Sequence, residues 1–218
     1  MSNQRRLDIH SRLVVALVAF ALIGTGCARV PGIYVYEAPG ATAAPGSGPF
    51  DAAGYVDGIW ATQVLPTVSE KAVDAGTLLP AIEADPAAAG AQYGRQAGTG
   101  SPFAYLISGT GTVTALDTAK PSGPLTVQVG ERTVYIATGP VLAGTALRDA
   151  MGIDFSQFTN QLDYADVATQ LNDRAKTDVI GKLDKATVVG KTIRFTGAFA
   201  QLGKAPPLIV PTSIEIAA

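Results

Sequence analysis

From Phe103 to the C-terminus the spacing of apolar residues dictates an order of elements, and that order admits few folds. Phe103 to Asp117 alternates in the manner of a strand, with Gly109 and Gly111 inside it, so the spacing predicts one long bulged or bent strand. Leu125 to Val129 and Thr133 to Ala137 alternate around Gly130, which predicts a hairpin. Gly139-Pro140 follows, and Thr145 stands where it would cap a short helix holding Leu147 and Met151. Tyr164, Val167, Leu171, Ala175, Val179 and Leu183 then recur at spacings of three and four, the mark of a longer helix. Lys191 to Ala200 and Leu208 to Ile216 alternate again, with Gly190 and Pro206-Pro207 as punctuation.

Three strands, a helix and two strands is the order of the oligonucleotide/oligosaccharide-binding (OB) barrel, a five-stranded Greek key. Ahead of it the signals are helical. Asp51 is placed to cap a helix with Tyr55, Ile59 and Val64 on one side, Pro66 is expected to kink or end it, and Asp74 and Asp85-Pro86 mark further starts. The expected fold is therefore α+β: a helical part over residues 50–100, then an OB-like five-stranded barrel over 101–218 with a helix between strands 3 and 4. Alternation buries Val113, Val127, Val134, Ile193, Phe195 and Ile209 or their immediate neighbours, and the Tyr164–Leu183 helix is expected to plug one end of the barrel with Leu171 as a core contact.

The N-terminus reads as an address. Arg5, Arg6 and Arg12 precede the apolar run Leu13 to Ile23, which is too short for a spanning helix, since that needs about 17–25 residues. Gly24-Thr25-Gly26-Cys27 follows, resembling the lipobox of bacterial lipoproteins, with Gly24 where Leu, Val or Ile is usual. Cys27 is the chain's single cysteine. In an exported protein it has no partner for a disulfide, and lipid attachment removes that liability while anchoring the chain to a membrane. Residues 1–26 are expected to be a signal peptide. Residues 27–49, after a short alternation at Ile33-Tyr34-Val35-Tyr36, are a linker of Ala, Pro, Gly and Ser that holds residues 50–218 off the membrane as a single domain. Ala28 after the cysteine, rather than an acidic residue, favours the outer membrane in a cell with two.

Cleavage at Cys27 narrows the chemistry. The leader carries Arg5, Arg6 and Arg12 against Asp8, so the 16 basic and 18 acidic residues of the chain fall to 13 and 17. That balance gives no strong pull on nucleic acid. The only histidine, His10, leaves with the leader. Ser-His-Asp and Cys-His catalysis and zinc sites of His and Cys are excluded from the mature chain, and no metal or cofactor motif is present. The full chain is 47% hydrophobic and only 16% charged, so the part beyond the leader can bury a core and need not be disordered.

Several stretches together resemble a known family. They are Trp60 with Val64-Leu65-Pro66, Glu70-Lys71-Ala72-Val73-Asp74, Tyr93-Gly94-Arg95 leading into Gly98-Thr99-Gly100-Ser101-Pro102, Gly139-Pro140-Val141, Gly144 to Asp149, and Phe158-Thr159-Asn160-Gln161 with Tyr164 to Val167. The chain resembles the predicted periplasmic lipoproteins of domain of unknown function 2291. The resemblance implies a membrane-tethered envelope protein whose genes often lie beside simple-sugar ABC transporters, and it brings no catalytic residues. A non-enzymatic accessory or binding lipoprotein, with a transporter component or a saccharide as partner, is the expected function. A carboxylate-dependent glycan hydrolase and a purely structural envelope protein are the alternatives.

Candidate ligand contacts each have a plainer competitor. Arg148, Asn160 and Gln161 suit a sugar's paired hydroxyls if they line one pocket, but Arg148 pairing a carboxylate and Asn160 capping backbone in a turn is the favoured account. Arg95 lies in a Gly-rich loop that lacks the Lys-Ser/Thr of a phosphate loop, and a turn leading into a strand accounts for it. Tyr135 and Phe195 lie on strands that in such barrels form a stacking face, or are buried on one side. Asp154, Asp163 and Asp166 supply the paired carboxylates glycoside hydrolysis would need, or are ordinary surface acids.

Overall fold

Capping aspartates set where the helices begin. In the computed structural model, which describes residues 49–217, Asp51 Oδ1 accepts from the Gly54 N–H at 2.9 Å and starts α1 (Ala52–Ile59). The leader, Cys27, the linker and the Ile33–Tyr36 alternation lie outside the described residues. Asp74 caps α3 (Ala75–Ala84) through Gly76, and Asp85 caps α4 (Pro86–Tyr93) through Ala87 and Ala88, with Pro86 in the first turn, where no N–H is missed.

Pro66 does not end the helical run. The chain passes from α1 through a π turn (Trp60–Val64) into α2 (Leu65–Lys71), and the Leu65 N–H reaches back five residues to the Trp60 carbonyl. Pro66 thereby falls in the first turn of a new α segment, where a proline is tolerated.

Seven strands follow: β1 (Val73–Asp74), β2 (Gly94–Arg95), β3 (Ala104–Leu116), β4 (Pro124–Val129), β5 (Arg132–Ala137), β6 (Thr192–Ala200) and β7 (Leu208–Ile216). β3 is long enough to serve two neighbours. Residues Ala104 to Thr112 pair with β6, and Thr112 to Leu116 pair with β4. β4 and β5 form a hairpin whose turn places Gly130 at φ 58°, a conformation that favours glycine. β5 runs parallel to β7, and β7 antiparallel to β6, so the pairing order β3-β4-β5-β7-β6 returns to β3. The helical part is stitched to this circuit, since β1 and β2 both pair with β3.

The irregularity in β3 lies elsewhere than at its glycines. Register shifts between Val113 and Ala115, while Gly109 and Gly111 mark close approaches: a Cβ at 109 would stand 2.8 Å from the Phe195 ring, and one at 111 would stand 2.5 Å from the Gln128 carbonyl oxygen. A second shift, opposite Thr196, makes Thr212 the extra residue of β7. The Thr212 and Ser213 hydroxyls consequently both lie on that of Thr196, at 2.8 and 3.0 Å.

Two apolar cores result. Val113, Val127, Val134, Ile193, Phe195 and Ile209 are each at most 1% exposed, as their alternation predicted, and α3 closes their cluster with Ala75, Leu78, Leu79 and Ile82. The second core lies among α1, α2, α5 (Ala146–Met151) and α6 (Gln161–Asp178), against Ala104, Leu106, Ala198 and Val210. Leu171 is fully buried, but in this second core; the helix that packs on the Val113–Phe195 cluster is α3 rather than α6, and of the expected Tyr164–Leu183 stripe Leu183 alone, beyond the end of α6, packs against that cluster. That helix is also shorter than its apolar spacing predicts. It stops at Asp178 and a 3-10 turn (Ile180–Lys182) follows. Thr145 precedes α5 without capping it, because its hydroxyl donates instead to Asp149 Oδ2 at 2.6 Å.

Candidate functional site

A cavity with both apolar walls and placed polar groups lies where α3 meets the β4–β5 hairpin and the β6–β7 loop. It encloses about 480 Å3. Leu79, Ile82 and Pro86 are its apolar lining on the helix side, Pro206 and Pro207 on the loop side, and Glu83, Glu131, Arg132, Thr133, Gln201 and Lys204 give the polar lining. Arg132 forks onto Glu83: Nε donates to both carboxylate oxygens at 2.9 and 3.0 Å, and Nη2 to Oε2 at 2.8 Å. This hydrogen bonding holds the Glu83 carboxyl below the usual carboxylate range. Both side chains are open to water, so the pair contributes little stability. It links α3 to the hairpin among the residues that line the cavity.

Tyr135 adjoins this cavity without lining it. It occupies the next outward position after Thr133 on β5, stands across from Thr126 and Leu208, and its N–H donates to the Pro207 carbonyl at 2.9 Å. Phe195, its expected partner in a stacking face, is 1% exposed among the core residues and offers no ring to a ligand.

Arg148, Asn160 and Gln161 do not converge on the cavity, and their polar atoms are largely spent. The Arg148 guanidinium is buried, donates to Asp149 Oδ1 from Nε and Nη2 at 2.9 and 2.8 Å, and gives Nη1 to the Tyr164 carbonyl at 3.1 Å. Its Cζ lies 3.5 Å from the centroid of the Tyr164 ring, a cation–π contact. Asn160 caps α6, accepting from the Leu162 and Asp163 N–H groups at 2.9 Å and donating to Asp163 Oδ2 at 3.0 Å. Gln161 is the exposed first residue of that helix. Arg95 lines a different, smaller cavity beside α2.

Asp154, Asp163 and Asp166 are not brought together on a cavity. Asp154 accepts from the Ser156 N–H at 2.8 Å, and hydrogen bonds from Ser156 hold it below the ordinary carboxylate range, the wrong direction for a general acid. Asp163 is engaged by Asn160, and none of Asp154, Asp163 and Asp166 lines either cavity. The sequence reading missed Glu83, Arg132 and the 201–207 loop. The available signal was the Pro206-Pro207 pair beside Gly203, which marks a shaped loop between two strands.

Among solved structures, an OB-fold protein from Thermotoga maritima superposes with a TM-score of 0.65 at 24% identity, covering 78% of this chain and 100% of that one. The likeness is one of fold: this is a mixed α/β chain with an OB fold. No curated protein sequence matches the chain. The family profile described as predicted periplasmic lipoprotein matches residues 17–215, nearly the whole length, and the chain belongs to that family, domain of unknown function 2291.

Proposed function

We propose that this protein is a lipid-anchored envelope protein that binds without performing chemistry, and that its closed strand circuit is an OB barrel presenting the 480 Å3 cavity to a saccharide or to a component of a sugar uptake system. The observation that carries this reading is the cavity's position. It opens between the hairpin of the barrel's second and third strands and the loop joining its fourth and fifth, and OB folds use those strands and that loop to hold ligands. Its make-up fits as well, since small-ligand sites combine apolar walls with a few oriented polar groups. The forked Glu83–Arg132 pair presents a planar polar edge of the kind that matches vicinal hydroxyls, and the Tyr135 face continues the surface beyond Pro207. The sugar-uptake part rests on what the family resemblance implies. Against hydrolysis, each carboxyl with a resolved displacement among the described residues, Glu83, Asp117 and Asp154, is held in its ionised form by hydrogen bonds.

The test is isothermal titration of the purified protein against pentoses, hexoses and short glycans, repeated with Arg132→Ala. Growth on each sugar after gene deletion is measured alongside. Saturable binding weakened by the substitution is the expected result. A growth defect without sugar binding points to a transporter partner, and glycan turnover by the purified protein overturns the reading.

A further inference from the structure

The smaller cavity differs in charge from the rest of the molecule. It holds about 290 Å3 between the end of α2, the turn from α4 into β2, and the end of α5. Lys71 and Thr67, one turn apart on α2, line one side. Gln92 and Arg95 line the other, and Ala104 and Ala150, both buried, are part of the floor. No carboxylate is among the lining residues, in a chain whose acids outnumber its bases. The ion pairs among the described residues engage Lys120, Arg132, Arg148, Arg174 and Lys176 and leave Lys71 and Arg95 out.

Arg95 is also placed rather than free. Its side chain lies on Gly152, which ends α5 at φ 71°, so closely that a Cβ at 152 would overlap the guanidinium. Its backbone is fixed by the β2–β3 pairing opposite Ala104. The one carboxylate of α5, Asp149, is already paired with Arg148 and bonded by Thr145. Two cations from separate elements, an amide and a hydroxyl around one small hollow are the donors that an oxyanion recruits.

We propose that this cavity is a binding site for a small oxyanion, a phosphate or carboxylate group, held between Lys71 and Arg95. The inference is independent of the sugar reading, because binding at the larger cavity can fail while this site stands. Titration calorimetry of the full chain in mild detergent, at constant ionic strength, with inorganic phosphate, glucuronate and neutral glucose as probes, tests it. Saturable binding of phosphate or glucuronate is expected, weakening as salt is added. Arg95→Ala and Lys71→Ala are each expected to weaken it about ten-fold, the loss of one charge-assisted hydrogen bond, with Arg95→Lys intermediate. Both side chains are exposed, so an unchanged melting temperature without probe serves as the folding control, and Arg95→Gln and Lys71→Gln are the second pair should either alanine variant melt early. The proposal is overturned if neither anion binds saturably, if binding survives in the Lys71→Ala/Arg95→Ala double variant, or if glucose binds there as well as the anions do.

Discussion

Replacing Arg148 by Ala separates a structural arginine from a ligand-binding one. In the folded protein its guanidinium is engaged by Asp149, by the Tyr164 carbonyl and by the Tyr164 ring, and both members of the ion pair are nearly sealed, with side chains 7% and 11% exposed. Removing one partner of a buried pair leaves the other charged and undersolvated, which costs about 3–5 kcal/mol. Asp149 keeps the Thr145 hydroxyl at 2.6 Å, so the low end of that range, about 3 kcal/mol, is expected. For a domain of this size that lowers the melting temperature by roughly 6–12 °C. Urea denaturation should show the midpoint falling with its slope unchanged. A cycle with Arg148→Met and Asp149→Asn should give a coupling energy of about 1–3 kcal/mol, because the two groups share one interaction. If Arg148→Ala unfolds at the wild-type midpoint and loses ligand instead, the structural assignment is wrong.

Three further outcomes follow from the same geometry. Leu171→Asp puts an unpaired carboxylate among Val56, Trp60, Leu147 and Val167 and should destabilise the fold by several kcal/mol in urea, whereas Leu162→Asp, at a site 75% exposed, should stay within about 0.5 kcal/mol of wild type. Burial raises the phenol pKa values of Tyr55, Tyr105 and Tyr164, so the folded state holds those protons more tightly than the unfolded chain; stability should be complete below about pH 10 and fall as pH rises through the folded values, with tyrosinate absorbance appearing late. Cys27→Ser should abolish membrane attachment or leave the leader uncut, with the acyl mass on residue 27 of the wild type lost, and a processed wild type without lipid would sink the lipoprotein assignment.

Local rules were readable in the sequence wherever one residue decides the outcome alone. Asp51, Asp74 and Asp85 cap helices because the orphan N–H groups lie two or three residues away, and strand alternation marks which side chains turn inward. The reading fails where a second group competes. Thr145 looked like a cap, but Asp149, one turn on, takes its hydroxyl; Pro66 looked like a break, but a π turn upstream gives it a first-turn position. Leu171 shows a different limit, since a stripe at spacings of three and four says that a helix face is covered without saying by what. Here α1 and α5 cover it, leaving the strand core to α3. The cavity was the least readable feature for the same reason at longer range. Glu83 and Arg132 are 49 residues apart and belong to elements of different period, so only the β1–β3 and β4–β5 pairings, which bring α3 beside the hairpin, turn two surface charges into the rim of one site.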